Sequence, residues 1–449
     1  MKVLFIAPLP PPVHGSAMVS QYIKDSKLVQ EQYDCDFVNL STSRRMDEIG
    51  KGGIKKILRF IGAYLCLLWK LLTRRYDLCY LAITCHDMGF LKDAPFVLLC
   101  KLFRHKVLIH QHNKGMSGCV ERWPYRWLLP LVYRNTTVML LSWHLYDDIA
   151  KVVKREQVVV CPNGIPQQSC DEDENENENC LAGNINLTQN TQNSQNTHCS
   201  ARVGHPDGDT THYTLDSAQE YSHTESTEST ESTEGKSLRP CCHPEGVSAM
   251  YAAPSPSGEG WGEAPHLLFL SNLIPSKGVY VLLDACRVLK ERGLDFKCVF
   301  VGGETKEIDR ATFETAVRER GLEGVVCYHG PKYGEEKEAY WQSADVFVFP
   351  TFYFNECFPL VLLEAMQWRL PLVSSDEGGI PDIVEDGVNG FVCPRQNVQS
   401  LADALEKLIT DPTLRQQMGE RGYQRYLDLY TLEAFEKRFA MLMKQAVVG

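Results

Sequence analysis

Ala344-Asp345-Val346-Phe347-Val348-Phe349-Pro350-Thr351 is followed, four residues on, by Glu356-Cys357-Phe358-Pro359-Leu360-Val361-Leu362-Leu363-Glu364. The first run has the apolar make-up of a strand buried on both faces, as in a parallel sheet. The second reads as a loop entering an apolar helix near Pro359, with Gly378-Gly379 beyond it. With Glu356 in the loop and Glu364 about one and a half turns into the helix, both carboxylates can face the crevice at the strand's carboxyl end. That is where open α/β sheets bind ligands, and carboxylates there accept hydrogen bonds from sugar and ribose hydroxyls. The same spacing also fits a solvated helix start, because acids are favoured in a first turn.

Working outward, the alternation of strand and helix continues on both sides. After His266, strands are expected at Leu267–Leu270, Lys297–Val301, Val325–His329, Val346–Phe349, Leu370–Ser374 and Gly390–Cys393. Gly278–Arg292 is helical, with Val281, Leu282, Ala285, Val288 and Leu289 at a 3.6 period. Leu401–Ile409 and Glu433–Gln445 read as terminal helices. Towards the N-terminus, Val3–Ala7, Cys35–Leu40, Leu78–Ile83, Lys106–His110, Thr137–Leu141 and Gln157–Cys161 read as strands, and Ser16–Lys27 as a helix. Strands interleaved with helical patterns imply parallel, helix-covered sheets.

Between the halves the pattern stops. Residues 168–265 hold an acidic–amide run from Asp171 to Asn179, Thr-Glu-Ser repeats from Thr224 to Glu234, and a Pro/Gly-rich end. Their apolar content cannot offset the entropy of ordering, so a disordered insert is expected. Three segments follow: an N-terminal domain over 1–167, the insert over 168–265 and a C-terminal domain over 266–449. The last helix of the C-terminal domain is expected to pack back on the first domain.

The chain of 449 residues exceeds what one core usually serves. Seventeen Cys, an odd number without regular spacing, point to a reducing, cytoplasmic compartment and away from a disulfide framework. No Cys pair has zinc-site spacing. The net charge of −11 is uneven: residues 1–167 carry 23 Lys and Arg against 13 Asp and Glu, and residues 168–265 carry 3 against 17. The basic half suits anionic lipid or a phosphorylated acceptor. Nucleic acid is not expected as a partner, since no aromatic-interleaved basic motif or zinc finger is present. Residues 54–75 are apolar and bracketed by bases, with an uninterrupted core from Phe60 to Trp69 too short to span a bilayer. They read either as a core helix or as an interfacial helix on anionic lipid, which would place the protein on the inner face of the membrane.

Several turns add chemistry. Pro8–Gly15 ends in Gly15-Ser16 at a helix start, where backbone can approach a phosphate. Ser271-Asn272-Leu273-Ile274-Pro275-Ser276-Lys277-Gly278 repeats that geometry. Lys277 at a helix start opposes the helix dipole unless an anion binds; a solvated Lys is the plain alternative. Gly302-Gly303-Glu304 and Gly378-Gly379 bring N–H groups to the same crevice. His110-Gln111-His112-Asn113 follows the fourth apolar strand, where a His can hydrogen-bond a substrate or, less simply, hold a metal. Asn163-Gly164 reads as a turn.

Taken together, Asn355–Met366, Gly378-Gly379-Ile380-Pro381-Asp382, Asp386-Gly387-Val388-Asn389-Gly390, Pro162-Asn163-Gly164-Ile165 and Lys277-Gly278 resemble family 4 glycosyltransferases of the GT-B fold. The resemblance covers both halves but not 168–265. It implies two Rossmann-like domains facing a cleft, retention of anomeric configuration, and no metal or other cofactor. A UDP- or GDP-sugar would be the donor, and a glycan or lipid-linked glycan the acceptor. It implies that Glu356 binds the transferred sugar, Glu364 the ribose and Lys277 the diphosphate, with Gly278, Gly303, Phe358, Pro359 and Leu360 also at the donor. Gly15 would lie beside the reacting centre, and His112, ahead of His110, would be the active-site His. Two positions depart from the family: Asn272 stands where an Arg is frequent, and Pro359 where Gly is usual after the first Glu. A nucleotide-sugar epimerase and a non-catalytic nucleotide-sugar-binding protein are the rival readings.

Overall fold

The computed structural model describes residues 1–11, 15–41, 53–168 and 264–448. The expectation of disorder for the insert falls almost wholly on 169–263, outside the described residues. The described residues form two six-stranded sheets, and every neighbouring pair of strands is parallel.

The first sheet contains β1 (Lys2–Ala7), β2 (Asp34–Asn39), β3 (Leu78–Ile83), β4 (Val107–Gln111), β5 (Thr137–Leu140) and β6 (Val158–Val160), in the order β2-β1-β3-β4-β5-β6. The second contains β7 (His266–Leu270), β8 (Lys297–Val301), β9 (Val326–Tyr328), β10 (Val346–Phe349), β11 (Leu372–Ser375) and β12 (Gly390–Cys393), in the order β12-β11-β10-β7-β8-β9. Both are doubly wound α/β sheets. Their central strands are buried along their whole length, as in β3 and β10, because helices cover both faces. The strand order reverses between β1 and β3 in the first sheet and between β7 and β10 in the second.

Alternate residues of each strand serve different helix layers. In the first sheet Leu4, Ile6, Cys79, Leu81, Ile109 and Val138 face the helices Ile54–Thr73, Asp87–Leu102 and Tyr125–Tyr133. Val3, Phe5, Tyr80 and Leu108 face the helices Gly15–Asp25 and Lys27–Gln32 and the last helix, Leu432–Val448. That last helix therefore lies on the N-terminal sheet. Phe439 stacks edge-on against Tyr80 at 5.4 Å, and the Tyr33 hydroxyl donates to the Ala440 carbonyl at 2.6 Å.

Three local differences from the sequence pattern have physical causes. β4 runs one residue further than read, through Gln111, because His110 and Gln111 still pair with Ala82 and Ile83. A helix over Pro412–Leu429 was not expected, since its exposed face is strongly polar and it contains Gly419 and Gly422. Gly419 is required there: a Cβ would overlap the Arg369 carbonyl. Asn163-Gly164 is a packed strap more than a free turn. Ile165 donates its N–H to Tyr430 O at 3.0 Å, and a Cβ on Gly164 would overlap the Thr431 carbonyl.

Candidate active site

The site is assembled where β7 and β10 lie side by side and their connections leave towards opposite edges of the sheet. β7 leads through Ser271 and Asn272 into one 3-10 turn, Pro275–Lys277, and then Gly278, the N-cap of the helix Val279–Glu291. Gly278 has a φ of +91°, and a Cβ there would overlap the Pro350 carbonyl. Only glycine lets the β7 loop press against the end of β10. Phe352 N–H donates to Ser276 O at 2.8 Å and joins the two loops further.

This close approach sets Lys277 against Glu356. The Lys277 ammonium is ion-paired with Glu356 Oε2, and both side chains are largely buried. The ammonium also lies 4.6 Å from the centre of the Tyr353 ring and 5.4 Å from that of Phe349, positions that favour a cation. Glu356 is held by its own N–H on Tyr353 O at 2.8 Å. Behind it, Gly378 at φ +57° packs so closely that a Cβ would overlap the Glu356 carbonyl, and Gly379 N–H donates to Cys357 O at 2.7 Å. The Gly pair thus clamps the Glu356 loop.

Glu364 is the fifth residue of the helix Leu360–Gln367, and Lys337 Nζ lies 2.6 Å from its Oε2. The charge on Glu364 reaches the first domain, since the Tyr22 phenol is raised above its ordinary pKa by burial and then by Glu364. Phe358 is buried with its ring edge-on to Tyr430 at 5.8 Å, and Pro359 is the buried N-cap. Leu360 opens the helix, so its N–H and that of Val361 have no intrahelical acceptor. Asn272 Oδ1 accepts the Gly303 N–H at 3.1 Å and fixes the turn after β8. Gly302, at φ +152°, backs directly onto Ser271.

In the first domain, Gly15 starts a helix at a point where a Cβ would meet nothing within 4 Å. His110, read as the last residue of its strand, is its penultimate one and is fully buried. Tyr80 is buried and its phenol is raised well above the ordinary range by burial, and its hydroxyl shares a hydrogen bond with His110 Nδ1 at 2.7 Å. Burial, and then the neighbouring His112, hold the His110 pKa well below the usual value and keep the ring neutral. His112 lies past the strand end with its ring centre 4.0 Å from that of His110.

Beyond His112 the structure brings together residues that sequence spacing did not single out. Asp148 accepts the N–H groups of Gly115, Met116 and Ser117 at 2.8, 3.0 and 3.1 Å, and so shapes the turn that carries Lys114. Lys114 pairs with Glu377, whose other oxygen meets Arg395 at 3.1 Å. Glu377 is 2% exposed. His144 Nε2 lies 3.3 Å from Asp382, a second link between the halves. A cavity of about 360 Å³ opens beside these pairs, lined by Lys114, His144, Asp148, Phe354, Gly378 and Arg395 among others. The only local signal for this cluster was an acid directly before the Gly pair.

The arrangement offers a cation and helix-start N–H groups for an anion, and carboxylates for hydroxyls, at the carboxyl ends of two central strands. Residues 257–425 match the family model described as glycosyl transferases group 1. The chain is 36% identical over 146 residues to the amylovoran biosynthesis glycosyltransferase AmsK of Erwinia amylovora, covering 32% of this chain and 35% of that protein. It is 30% identical over 186 residues to the alpha-D-kanosaminyltransferase of Streptomyces kanamyceticus, covering 41% and 47%. A putative colanic acid biosynthesis glycosyltransferase, WcaL of Escherichia coli K12, is 33% identical over 143 residues, covering 31% and 34%. The chain therefore spans between a third and half of the length of these curated relatives. Among solved structures, sucrose-phosphate synthase from Thermosynechococcus elongatus superposes with a TM-score of 0.63 at 16% identity, over 99% of this chain and 98% of the other. Anabaena HepE in complex with UDP gives 0.63 at 15%, over 99% and 100%. These two likenesses show the fold, two Rossmann-like domains in the GT-B arrangement.

Proposed function

We propose that the protein is a retaining glycosyltransferase acting on the cytoplasmic side of the membrane in cell-surface polysaccharide synthesis. It transfers a sugar from a UDP- or GDP-activated donor to a hydroxyl of a glycan or lipid-linked glycan and needs no metal ion. The observation that carries this reading is the Lys277–Glu356 pair at the strand-order reversal of the second sheet, inside the stretch that matches the group 1 model. Relatives named for amylovoran and colanic acid biosynthesis support the polysaccharide, and the HepE complex supports a uridine nucleotide.

In this reading a diphosphate competes with Glu356 for the Lys277 ammonium. Lys277 and the N–H groups at the start of the Leu360 helix then stabilise the negative charge that grows on the departing nucleoside diphosphate. Glu356, released from Lys277, accepts hydrogen bonds from the transferred sugar, and Glu364 accepts them from the ribose. His112 and Gly15 face the reacting centre from the first domain.

The test begins with a panel of nucleotide sugars screened by thermal shift, because a ligand of the native state raises Tm. Transfer assays with the stabilising donor follow. Lys277→Ala and Glu356→Gln are expected to lower kcat by about 10²–10³-fold. Wild-type rates in both variants would overturn the assigned site. Donor turnover that needs no acceptor, beyond slow hydrolysis, would show an epimerase instead. Product with inverted anomeric configuration, or activity lost to a chelator and restored by a divalent cation, would overturn those parts of the reading.

A further inference from the structure

The helix Ile54–Thr73 carries two apolar stripes, and the first domain uses only one of them. Phe60, Tyr64, Leu67, Leu68 and Leu71 pack inward, with Phe60 and Tyr64 edge-on to Phe96 at 5.4 and 5.6 Å. On the other side Ile54, Ile57, Leu58, Ile61, Leu65, Trp69 and Leu72 are each between 45 and 75% exposed. At 3.6 residues per turn these seven fall within an arc of about 120° and form a stripe about 27 Å long. A soluble surface helix is expected to be polar on that side.

The stripe has company in its layer. The helices Asp87–Leu102 and Tyr125–Tyr133 cover the same sheet face, joined by Phe90 on Tyr125 at 6.1 Å and by Lys101 Nζ on the Val132 carbonyl at 2.6 Å. There Trp123, Trp127 and Leu131, at successive four-residue steps, are all more than half exposed. Exposed bases accompany both stripes: Lys55 and Arg75 at the first, Arg126 and Arg134 at the second, with Arg126 stacked on Trp127 at 5.1 Å. Neither 54–75 nor 122–134 contains an Asp or Glu.

We propose that this three-helix outer layer docks on an anionic bilayer surface, with the Ile54–Thr73 helix lying in the interface and Trp123 and Trp127 forming a second anchor. Tryptophan is favoured at the headgroup level, and bases beside an apolar stripe suit anionic lipid. A second copy of the chain is the poorer occupant. A two-fold contact sets each patch against itself, which would oppose Lys55, Arg75, Arg126 and Arg134 to one another, while the nearby acids Asp36, Asp87 and Glu121 are already paired with Arg74, Arg122 and Lys151. None of the described helices is long and apolar enough to cross a membrane, so the mode is surface docking. The proposal is independent of the glycosyltransferase reading, and its test contains no sugar.

The full chain is sedimented with vesicles of phosphatidylcholine alone or with added phosphatidylglycerol, at low and high salt. Binding to phosphatidylglycerol vesicles is expected at low salt, about tenfold or more weaker at high salt or on neutral vesicles. Leu58→Gln with Leu65→Gln and Trp69→Gln, and separately Trp123→Ala with Trp127→Ala, should each weaken binding about tenfold or more. The substituted side chains are exposed, so Tm should stay at the wild-type value. No binding to phosphatidylglycerol vesicles at low salt would overturn the proposal. So would self-association that disappears in the variants while vesicle binding is absent.

Discussion

Glu377 is the residue on which the two halves of the cavity lean. Lys114 reaches it from the loop after β4, and Arg395 from beyond β12. Glu377→Gln keeps the shape but leaves two cations without their shared anion, and should cost about 2–4 kcal/mol, read as a fall in Tm of roughly 4–16 °C at about 2–4 °C per kcal/mol for a domain of this size. A fall of less than one degree would show that the cluster carries no stability. Gly378→Ala strains a left-handed backbone and pushes on the Glu356 carbonyl. It should weaken donor binding, measured by the thermal shift that nucleotide sugars induce, more than the same change at exposed Gly387. Lys277 and Glu356 were legible because each stands in a short motif at the end of an apolar strand. The Lys114–Glu377 link was not, because 263 positions separate its members and no local spacing connects them.

At the level of elements, the end of one strand separates two neighbouring histidines. With β4 ending at Gln111, His110 turns into the core between Tyr80 and Phe439, while His112 emerges at the strand's carboxyl end. Tyr80→Phe removes the hydrogen-bond partner of His110 Nδ1 and should cost about 1–3 kcal/mol in urea denaturation; a neutral result would mean that the ring finds another partner. Strands and amphipathic helices were readable from period alone. The Pro412–Leu429 helix was not, since its low hydropathy contrast and two glycines hide its period, although the Asp411 cap and Pro412 mark its start. The Ile54–Thr73 helix left two readings open, and its structure accommodates both: one stripe in the core and one outside.

For the whole molecule, pH acts on groups in both domains. Burial, then Lys332 and Arg310, bring the His329 pKa down from 6.5 to about 4, and His110 is likewise depressed. As pH falls through 6.5 the unfolded chain takes up these protons first, so stability declines from about pH 6.5 towards pH 4. Burial alone would raise Asp36, but hydrogen bonds from Lys70, Tyr76 and Arg74 bring it from 3.8 down to about 2. Its contribution is intact above pH 3.8 and is lost as pH falls towards 2. The urea midpoint should therefore drop between pH 7 and 5, and less steeply in His329→Asn; an unchanged slope would remove His329 from this account. The position of the last helix has a consequence for how the chain is made. Phe435 and Phe439 complete the packing over Phe5 and Tyr80, yet they leave the ribosome more than 350 residues after Tyr80. The nascent first domain must therefore carry a bare apolar surface through synthesis of the entire second domain, an interval in which chaperones have something to hold.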